Sequence, residues 1–503
     1  MKAYLAILYA GLVAVPLPTD LTRESFVRII ADAGIRELYV SNQLLNRVRA
    51  WAAECGLKLV PENQERDFGG KRCSGPARIN ANRELAALLF TSGSTGAPRG
   101  VMITHRNFEC NTRDIIAYLN LSAEDKVMAV LPFHYCFGLS LLHTHLFAGG
   151  CVVTDNEFKL FPESMLLQMQ RQECTGFAGV PSTYQILLRN SRFRRMQFPK
   201  LRWFQQAGGK LPNACIQEIV QAFPDVPFYV MYGQTEATAR LSYLPPGLLV
   251  EKLGSIGKGL PSAKLQVLRP DGTTVRPGSD EIGEIVASGN NIAAGYWNDP
   301  AETARYFRGG KLHTGDLARV DKDGYIFIME RERDMIKSGG NRISAKEVED
   351  VIAQLQEVVE VAVVGCPHEL LGESITAFVS LASNAKITVT DILAHCHKHL
   401  SRSRTPQEIT VTPSLPHNSS GKVLKTKLRE LLYHRHSAHR STRWAGATTL
   451  PRRTNDARPE PLDPTFQCFF VCVTSSPARL VSLVFTSPSA CWIKGMKSLA
   501  WTM

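Results

Sequence analysis

The run Thr91-Ser92-Gly93-Ser94-Thr95-Gly96-Ala97-Pro98-Arg99-Gly100 has the residue types of a phosphate cradle. Its glycines let backbone N–H groups turn toward an anion with no side chain in the way. Ser92, Ser94 and Thr95 add hydroxyl donors, and Arg99 adds a permanent positive charge. No Gly-Lys-Ser/Thr follows at the required spacing, so this is not a Walker loop. An exposed Ser/Gly linker has a similar composition. The apolar run Leu85–Phe90 argues against that reading, because a buried strand feeding such a loop points to phosphate binding.

Five more segments with chemistry-bearing residues follow in order. They are Pro132-Phe133-His134-Tyr135-Cys136-Phe137-Gly138, Ala207-Gly208-Gly209-Lys210-Leu211 and Tyr232-Gly233-Gln234-Thr235-Glu236, then Thr314-Gly315-Asp316 and Asn418-Ser419-Ser420-Gly421-Lys422. A lone His or Tyr is more often a satisfied core residue, so it is the ordered set that carries weight.

The elements around these segments read as α/β. Ala3–Tyr9 reads as a helix, Gly11 as a turn and Leu12–Leu17 as a strand. The same stretch resembles a signal peptide, but it is shorter than the roughly 20 residues of a membrane span. Short apolar strands are expected at Val127–Leu131, Cys151–Thr154 and Phe228–Tyr232, alternating with helices in α/β layering. Beyond Gly254, Gly/Pro-punctuated strands such as Lys264–Leu268 and Glu284–Ala287 suggest a barrel-like subdomain, with a hairpin turn at Asp321-Lys322-Asp323-Gly324. The charge run Glu330-Arg331-Glu332-Arg333-Asp334 reads as a linker. After it, Ser344-Ala345-Lys346-Glu347 is a capping box for a helix with Val348, Val351, Ile352 and Leu355 on one face. Strands at Val361–Val364, Ile375–Leu381 and Ile409–Thr412, with a helix at Thr390–Leu400, complete a small α+β unit.

The chain is expected to divide into residues 1–332, 333–433 and a tail, 434–503. The tail carries nine Lys and Arg against three Asp and Glu, half of the net charge of +12. The body is therefore only mildly basic. With no basic stripe interleaved with aromatics, nucleic-acid binding is not indicated. His434–Pro464 is rich in Arg, Pro, Thr and Ser and reads as a flexible linker, Phe466–Met503 has apolar bursts with neither period, and the tail is expected to be disordered or non-native, and dispensable. Twelve cysteines, scattered singly, fit a reducing compartment and argue against structural zinc.

The ordered motifs resemble the AMP-forming adenylating superfamily of acyl- and aryl-CoA synthetases, peptide-synthetase adenylation domains and firefly-type luciferases. The resemblance spans Ala3–Leu432 and implies a large layered α/β N-terminal domain with parallel sheets, plus a small mobile C-terminal lid. It implies that a carboxylic acid attacks the α-phosphate of ATP to give an acyl-adenylate and pyrophosphate, and that the acyl group then passes to CoA. By resemblance, Thr91, Ser92, Gly93, Ser94, Thr95, Gly96 and Arg99 belong to the loop that holds the β- and γ-phosphates. Thr235 would touch the α-phosphate, and Glu236 would hold Mg²⁺, a hard cation that prefers oxygen. Gly208, Gly209 and Tyr232 would surround the adenine, and Asp316 with Arg331 would bind the ribose. Lys422 would bridge carboxylate and α-phosphate as a flexible point charge. Arg333 would be the hinge, and Ser338-Gly339-Gly340 would present glycines to pantetheine after the lid turns.

Three positions depart from the family pattern: Arg99 where Lys is usual, Glu330 where Gly is common, and His417 where Lys or Arg is common. His134 stands where amino-acid-activating enzymes place an Asp, which favours acyl- and aryl-acid enzymes. Phe177, Ala178, Gly179, Val180 and Tyr184 are expected as apolar pocket walls, suiting a fatty or other apolar acid. Transfer to a carrier-protein pantetheine is an alternative to CoA. The family motif at Leu8–Pro16 normally follows several tens of residues, so an incomplete, inactive relative is another. Reduced thiols, ATP and CoA suggest the cytoplasm.

Overall fold

The computed structural model describes residues 2–62, 76–92, 98–155, 158, 161–331, 335–339, 341–368, 370–418, 421–432, 469–473 and 483–484. Four sheets organise them. The first contains β1 (Val13–Leu17), β2 (Glu37–Val40), β3 (Lys58–Pro61), β4 (Leu85–Ser92) and β5 (Pro98–Thr104). All five residues of β1 are buried, as expected of a strand covered on both faces. The helix Arg23–Ala33 packs here through Phe26, Ile29, Ile30 and Ala33, and it ends on Gly34 in the left-handed region. β4 runs to Ser92, two residues past the expected strand, because it pairs antiparallel with β5 and forms a hairpin.

The second sheet runs through β6 (Lys126–Ala129), β7 (Cys151–Thr154), β8 (Gly176–Gly179), β9 (Trp203–Gln206), β10 (Phe228–Tyr232), β11 (Ser242–Leu244) and β12 (Lys258–Gly259). Its order is β12-β11-β10-β9-β8-β6-β7, with a parallel core from β10 to β7. One face buries an aromatic cluster in which Phe177, Phe193, Phe204 and Phe228 are packed together. The helix His105–Leu119 lies close by. Thr104 and Asn107 cap it reciprocally, and Asn120 ends it in the left-handed region.

The third sheet, β13 (Ala263–Leu268), β14 (Gly283–Gly289), β15 (Phe307–Arg308), β16 (Lys311–Val320) and β17 (Ile326–Arg331), is antiparallel throughout. Its order is β13-β14-β16-β15, with β17 also paired to β16. The fourth sheet comprises β18 (Ile336–Ser338), β19 (Asn341–Ile343), β20 (Val358–His368), β21 (Gly372–Leu381) and β22 (Glu408–Val411). Ser344 caps the helix Ala345–Ile352 by accepting from the Glu347 N–H at 3.3 Å. Val348 and Ile352 are fully buried beneath it. The boundary expected near residue 332 falls on 332–334, outside the described residues.

Two short segments of the tail depart from the expectation of disorder. Residues Phe469–Val473 form β23, which lies antiparallel between β1 and β2, and Leu483–Val484 form β24 beside it. Among the described residues, β1 and β2 join the sheet through the tail strand between them. The reason is backbone satisfaction: two strands with buried residues leave N–H and C=O groups facing each other, and a strand between them pairs both rows.

Candidate active site

The phosphate-loop segment closes the β4–β5 hairpin, so no helix follows it. Thr91 faces Arg99 and Ser92 faces Pro98 across the ladder. Gly93, Ser94, Thr95, Gly96 and Ala97 lie outside the described residues. Arg99 is already engaged by the protein's own carboxylates. Its Nη1 stands 2.7 Å from Glu302 Oε2, and its Nε 3.7 Å from Asp299.

The other segments gather at the carboxyl ends of the parallel strands, where open α/β sheets bind ligands. His134 follows β6, Val180 follows β8, Gly208 and Gly209 follow β9, and Thr235 and Glu236 follow β10. His134 is buried, and desolvation lowers its pKa to about 3, so the imidazole is neutral at physiological pH. Gly208 has φ +85°, and a Cβ there would stand 2.8 Å from Tyr135 Oη and 2.9 Å from Val180 Cγ1. Only glycine fits both the backbone and the space. The Gln206 side chain braces this turn by donating to the Gly209 carbonyl at 2.7 Å. Thr235 Oγ1 donates to Cys136 Sγ at 3.4 Å, and burial pushes that thiol up to about 11, so it stays protonated.

The expected ribose and adenine groups meet. The Tyr232 phenol donates to Asp316 Oδ2 at 2.7 Å, both residues being buried. Arg331 stands directly opposite Asp316 in the β16–β17 ladder.

The lid's Gly421-Lys422 turn reaches the same place from a distant part of the chain. Ser182 Oγ donates to the Gly421 carbonyl at 2.9 Å, and a Cβ on Gly421 would stand 3.1 Å from Val180 Cγ2. The Lys422 N–H donates to Asn418 Oδ1 at 2.8 Å. A second tie between body and lid is the Lys210–Asp350 ion pair at 2.8 Å. Gly339 sits between β18 and β19 of the lid, where its N–H donates to the Leu371 carbonyl at 2.8 Å. Gly340 and Arg333 lie outside the described residues.

The expected pocket walls divide between two faces. Ala178 and Val180 pack with Phe137, Ala207 and Met231. Phe177 and Tyr184 instead join the aromatic core on the opposite face, and the Tyr184 phenol donates to the Gln205 carbonyl. Strand alternation is the reason: neighbouring residues of β8 point to opposite faces, so a contiguous run cannot line one pocket.

The oxygen donors at Glu236 fit Mg²⁺. Among the described residues no group of three or more His, Cys, Asp or Glu could cage a metal. Mg²⁺ characteristically takes one or two carboxylates plus substrate phosphates. Motif reading missed Tyr296, whose phenol donates to Glu236 Oε1 at 2.9 Å. A single Tyr in Gly295-Tyr296-Trp297 carries no chemical signature, and only the fold brings it 60 residues back along the chain. No helix among the described residues is long and apolar enough to cross a membrane.

Residues 1–297 match the model of the AMP-binding enzyme family, and residues 347–422 match that of the AMP-binding enzyme C-terminal domain. The chain is 32% identical over 435 residues to a feruloyl-CoA synthase from an Amycolatopsis species, covering 85% of this chain and 86% of the relative. Its structure is similar to that of an anthranilate CoA ligase in complex with anthranoyl-AMP (TM-score 0.80, 25% identity, 87% and 86% of the two chains). It is also similar to an O-succinylbenzoate CoA synthetase from Bacillus subtilis in complex with ATP and magnesium ion (TM-score 0.74, 27% identity, 86% of each chain). The chain thus belongs to the AMP-binding enzyme family and is an AMP-forming CoA ligase that works with ATP, Mg²⁺ and CoA.

Proposed function

We propose that this ligase activates an apolar carboxylic acid, an aryl acid foremost, and that the strand-end cluster with Gly421-Lys422 is its adenylation site. The observation that carries the reading is the Ser182–Gly421 hydrogen bond, which lays the lid turn against Val180, a wall residue beside Gly208. The wall formed by Ala178, Val180, Ala207 and Phe137 is apolar. The names of the relatives described above, feruloyl, anthranilate and O-succinylbenzoate, support an aryl acid.

In this reading a carboxylate oxygen of the acid attacks the α-phosphorus of ATP, and the bond to pyrophosphate breaks. No proton moves in that step, and two anions must meet, so fixed positive charge is the main requirement. Lys422 supplies it from the lid, and Thr235 offers its hydroxyl to the α-phosphate. Glu236 would hold Mg²⁺, which when bound supplies positive charge against the phosphates. Gly208, Gly209 and Tyr232 border the adenine, and Asp316 with Arg331 takes the ribose. The loop that contains Thr91, Ser92, Gly93, Ser94, Thr95 and Gly96 receives the leaving pyrophosphate. Neutral His134 beside Tyr135 serves as a hydrogen-bonding wall group rather than as a proton carrier. In the second step the CoA thiol loses its proton, attacks the acyl carbonyl and displaces AMP. Gly339 and Gly340 would face pantetheine after the lid turns about Arg333. We place this chemistry in the cytoplasm, where ATP, CoA and reduced thiols coexist.

The test is acid-dependent ATP–pyrophosphate exchange, followed by thioester analysis with CoA or a carrier protein as acceptor. Benzoic and cinnamic acids should drive exchange and yield CoA thioesters. Exchange driven only by long fatty acids would overturn the aryl assignment, and exchange with no acid at all would overturn the site.

A further inference from the structure

Tyr296 is held on every side. Its ring edge meets Tyr306 and Phe307 at centroid distances of 6.1 and 5.6 Å, and the Arg99 guanidinium lies over its face at 5.9 Å. Its N–H donates to Thr303 Oγ1 at 2.9 Å. The backbone from Ala293 to Trp297 runs antiparallel beside β5. Met102 N–H donates to the Gly295 carbonyl, Ala294 N–H to the Met102 carbonyl, and Trp297 N–H to the Gly100 carbonyl. The same segment bonds to the Thr235-Glu236 turn through Ala293 N–H and the Glu236 carbonyl at 2.9 Å.

From this geometry we infer that Tyr296 is a positioning residue for the Glu236 carboxylate, and that Arg99 acts through Tyr296 and Glu302 rather than on phosphate. The phenol occupies Glu236 Oε1 and leaves Oε2 as the oxygen for the cation. A carboxylate with one oxygen tied can no longer rotate freely, so its remaining oxygen is oriented before metal arrives. Arg99 stacks over the ring and is paired with Glu302 at 2.7 Å and with Asp299, at the start of the helix Pro300–Tyr306. The arrangement links the strand leaving the phosphate loop to the metal-binding carboxylate. It rests on the adenylation-site reading above.

The experiment uses the full chain and its Tyr296→Phe, Arg99→Lys and Arg99→Ala variants. ATP affinity is measured by calorimetry in EDTA and then across a Mg²⁺ titration, with thermal stabilisation by MgATP recorded in parallel. Tyr296→Phe should leave metal-free ATP affinity within about twofold and raise the Mg²⁺ concentration for half-maximal enhancement five- to tenfold. Arg99→Ala should follow Tyr296→Phe, and Arg99→Lys should lie between it and the parent. An unchanged Mg²⁺ requirement in Tyr296→Phe would overturn the inference. So would an equal loss of metal-free ATP binding in Arg99→Ala, which would make Arg99 a phosphate ligand. A parent chain that binds no MgATP would instead overturn the adenylation-site reading itself.

Discussion

A buried histidine that cannot take a proton leaves two marks on this enzyme. Desolvation lowers the pKa of His134 to about 3 and of His145 to about 4. Between those values and about 6.5 the unfolded chain binds protons that the folded one does not. Stability from these two groups is therefore constant above pH 6.5 and falls as pH drops below it, by up to about 1.4 kcal/mol per pH unit for each. Denaturant midpoints at pH 7.5 and 5.5 check this, and His145→Gln should shrink the difference. The same burial predicts that the rate profile between pH 6 and 8 carries no His134 inflection, so His134→Asn should change the KM for acid and not the profile's shape. Lys422 is exposed on the lid turn. Lys422→Ala should lower acid-dependent exchange by about 10²–10³, the range for losing one transition-state charge partner, with Tm unchanged. Neither His134 nor Lys422 looks unusual singly; the order of their motifs made them legible, and His145 and Tyr296, with no motif, were not.

At the scale of elements, the lid turn shows how a glycine decides geometry. Gly421 has φ +81°, a region that costs other L-residues roughly 1–2 kcal/mol, and a Cβ there would stand 3.1 Å from Val180 and 3.2 Å from Ser182. Gly421→Ala should push the turn off the body and reduce exchange about tenfold, an effect of about 1.4 kcal/mol. Acyl transfer from preformed acyl-adenylate to CoA should fall less, and comparing the two half-reactions is the measurement. The lid helix Ala345–Ile352 was readable from Ser344 and the spacing of Val348 and Ile352, because capping and helical periodicity are local. Ser344→Ala should cost the lid about 1 kcal/mol in chemical denaturation. The division of Phe177 and Tyr184 from Val180 was less legible. Which face of β8 meets the site depends on the strands beside it, and those come from elsewhere in the chain.

At the scale of the molecule, the tail strand β23 changes what a truncation should do. Read by composition, residues 434–503 looked dispensable. In the fold, Val471 pairs with Val15 on one side and with Leu38 on the other. Removing the tail would bare two ladder rows inside a sheet whose next strand, β4, leads into the phosphate loop. Deleting residues 434–503 should lower Tm by several degrees and promote aggregation. Val471→Pro, which removes one ladder N–H, should do so in part. Scanning calorimetry and light scattering separate these outcomes from an unchanged protein.

By itself the sequence determined the family, the α/β alternation of its main elements, and the groups proposed here to handle phosphate, adenine, ribose and metal. Those depend on residue type, local spacing and short-range periodicity, which a single chain carries openly. Only the tertiary structure decided that Arg99 pairs with Glu302 and Asp299, that Tyr296 holds Glu236, that Ser182 meets the lid, and that a distant tail completes the first sheet. Each of these contacts joins residues far apart in sequence. Their energies depend on packing and burial once the sheets have formed, and no local pattern encodes them.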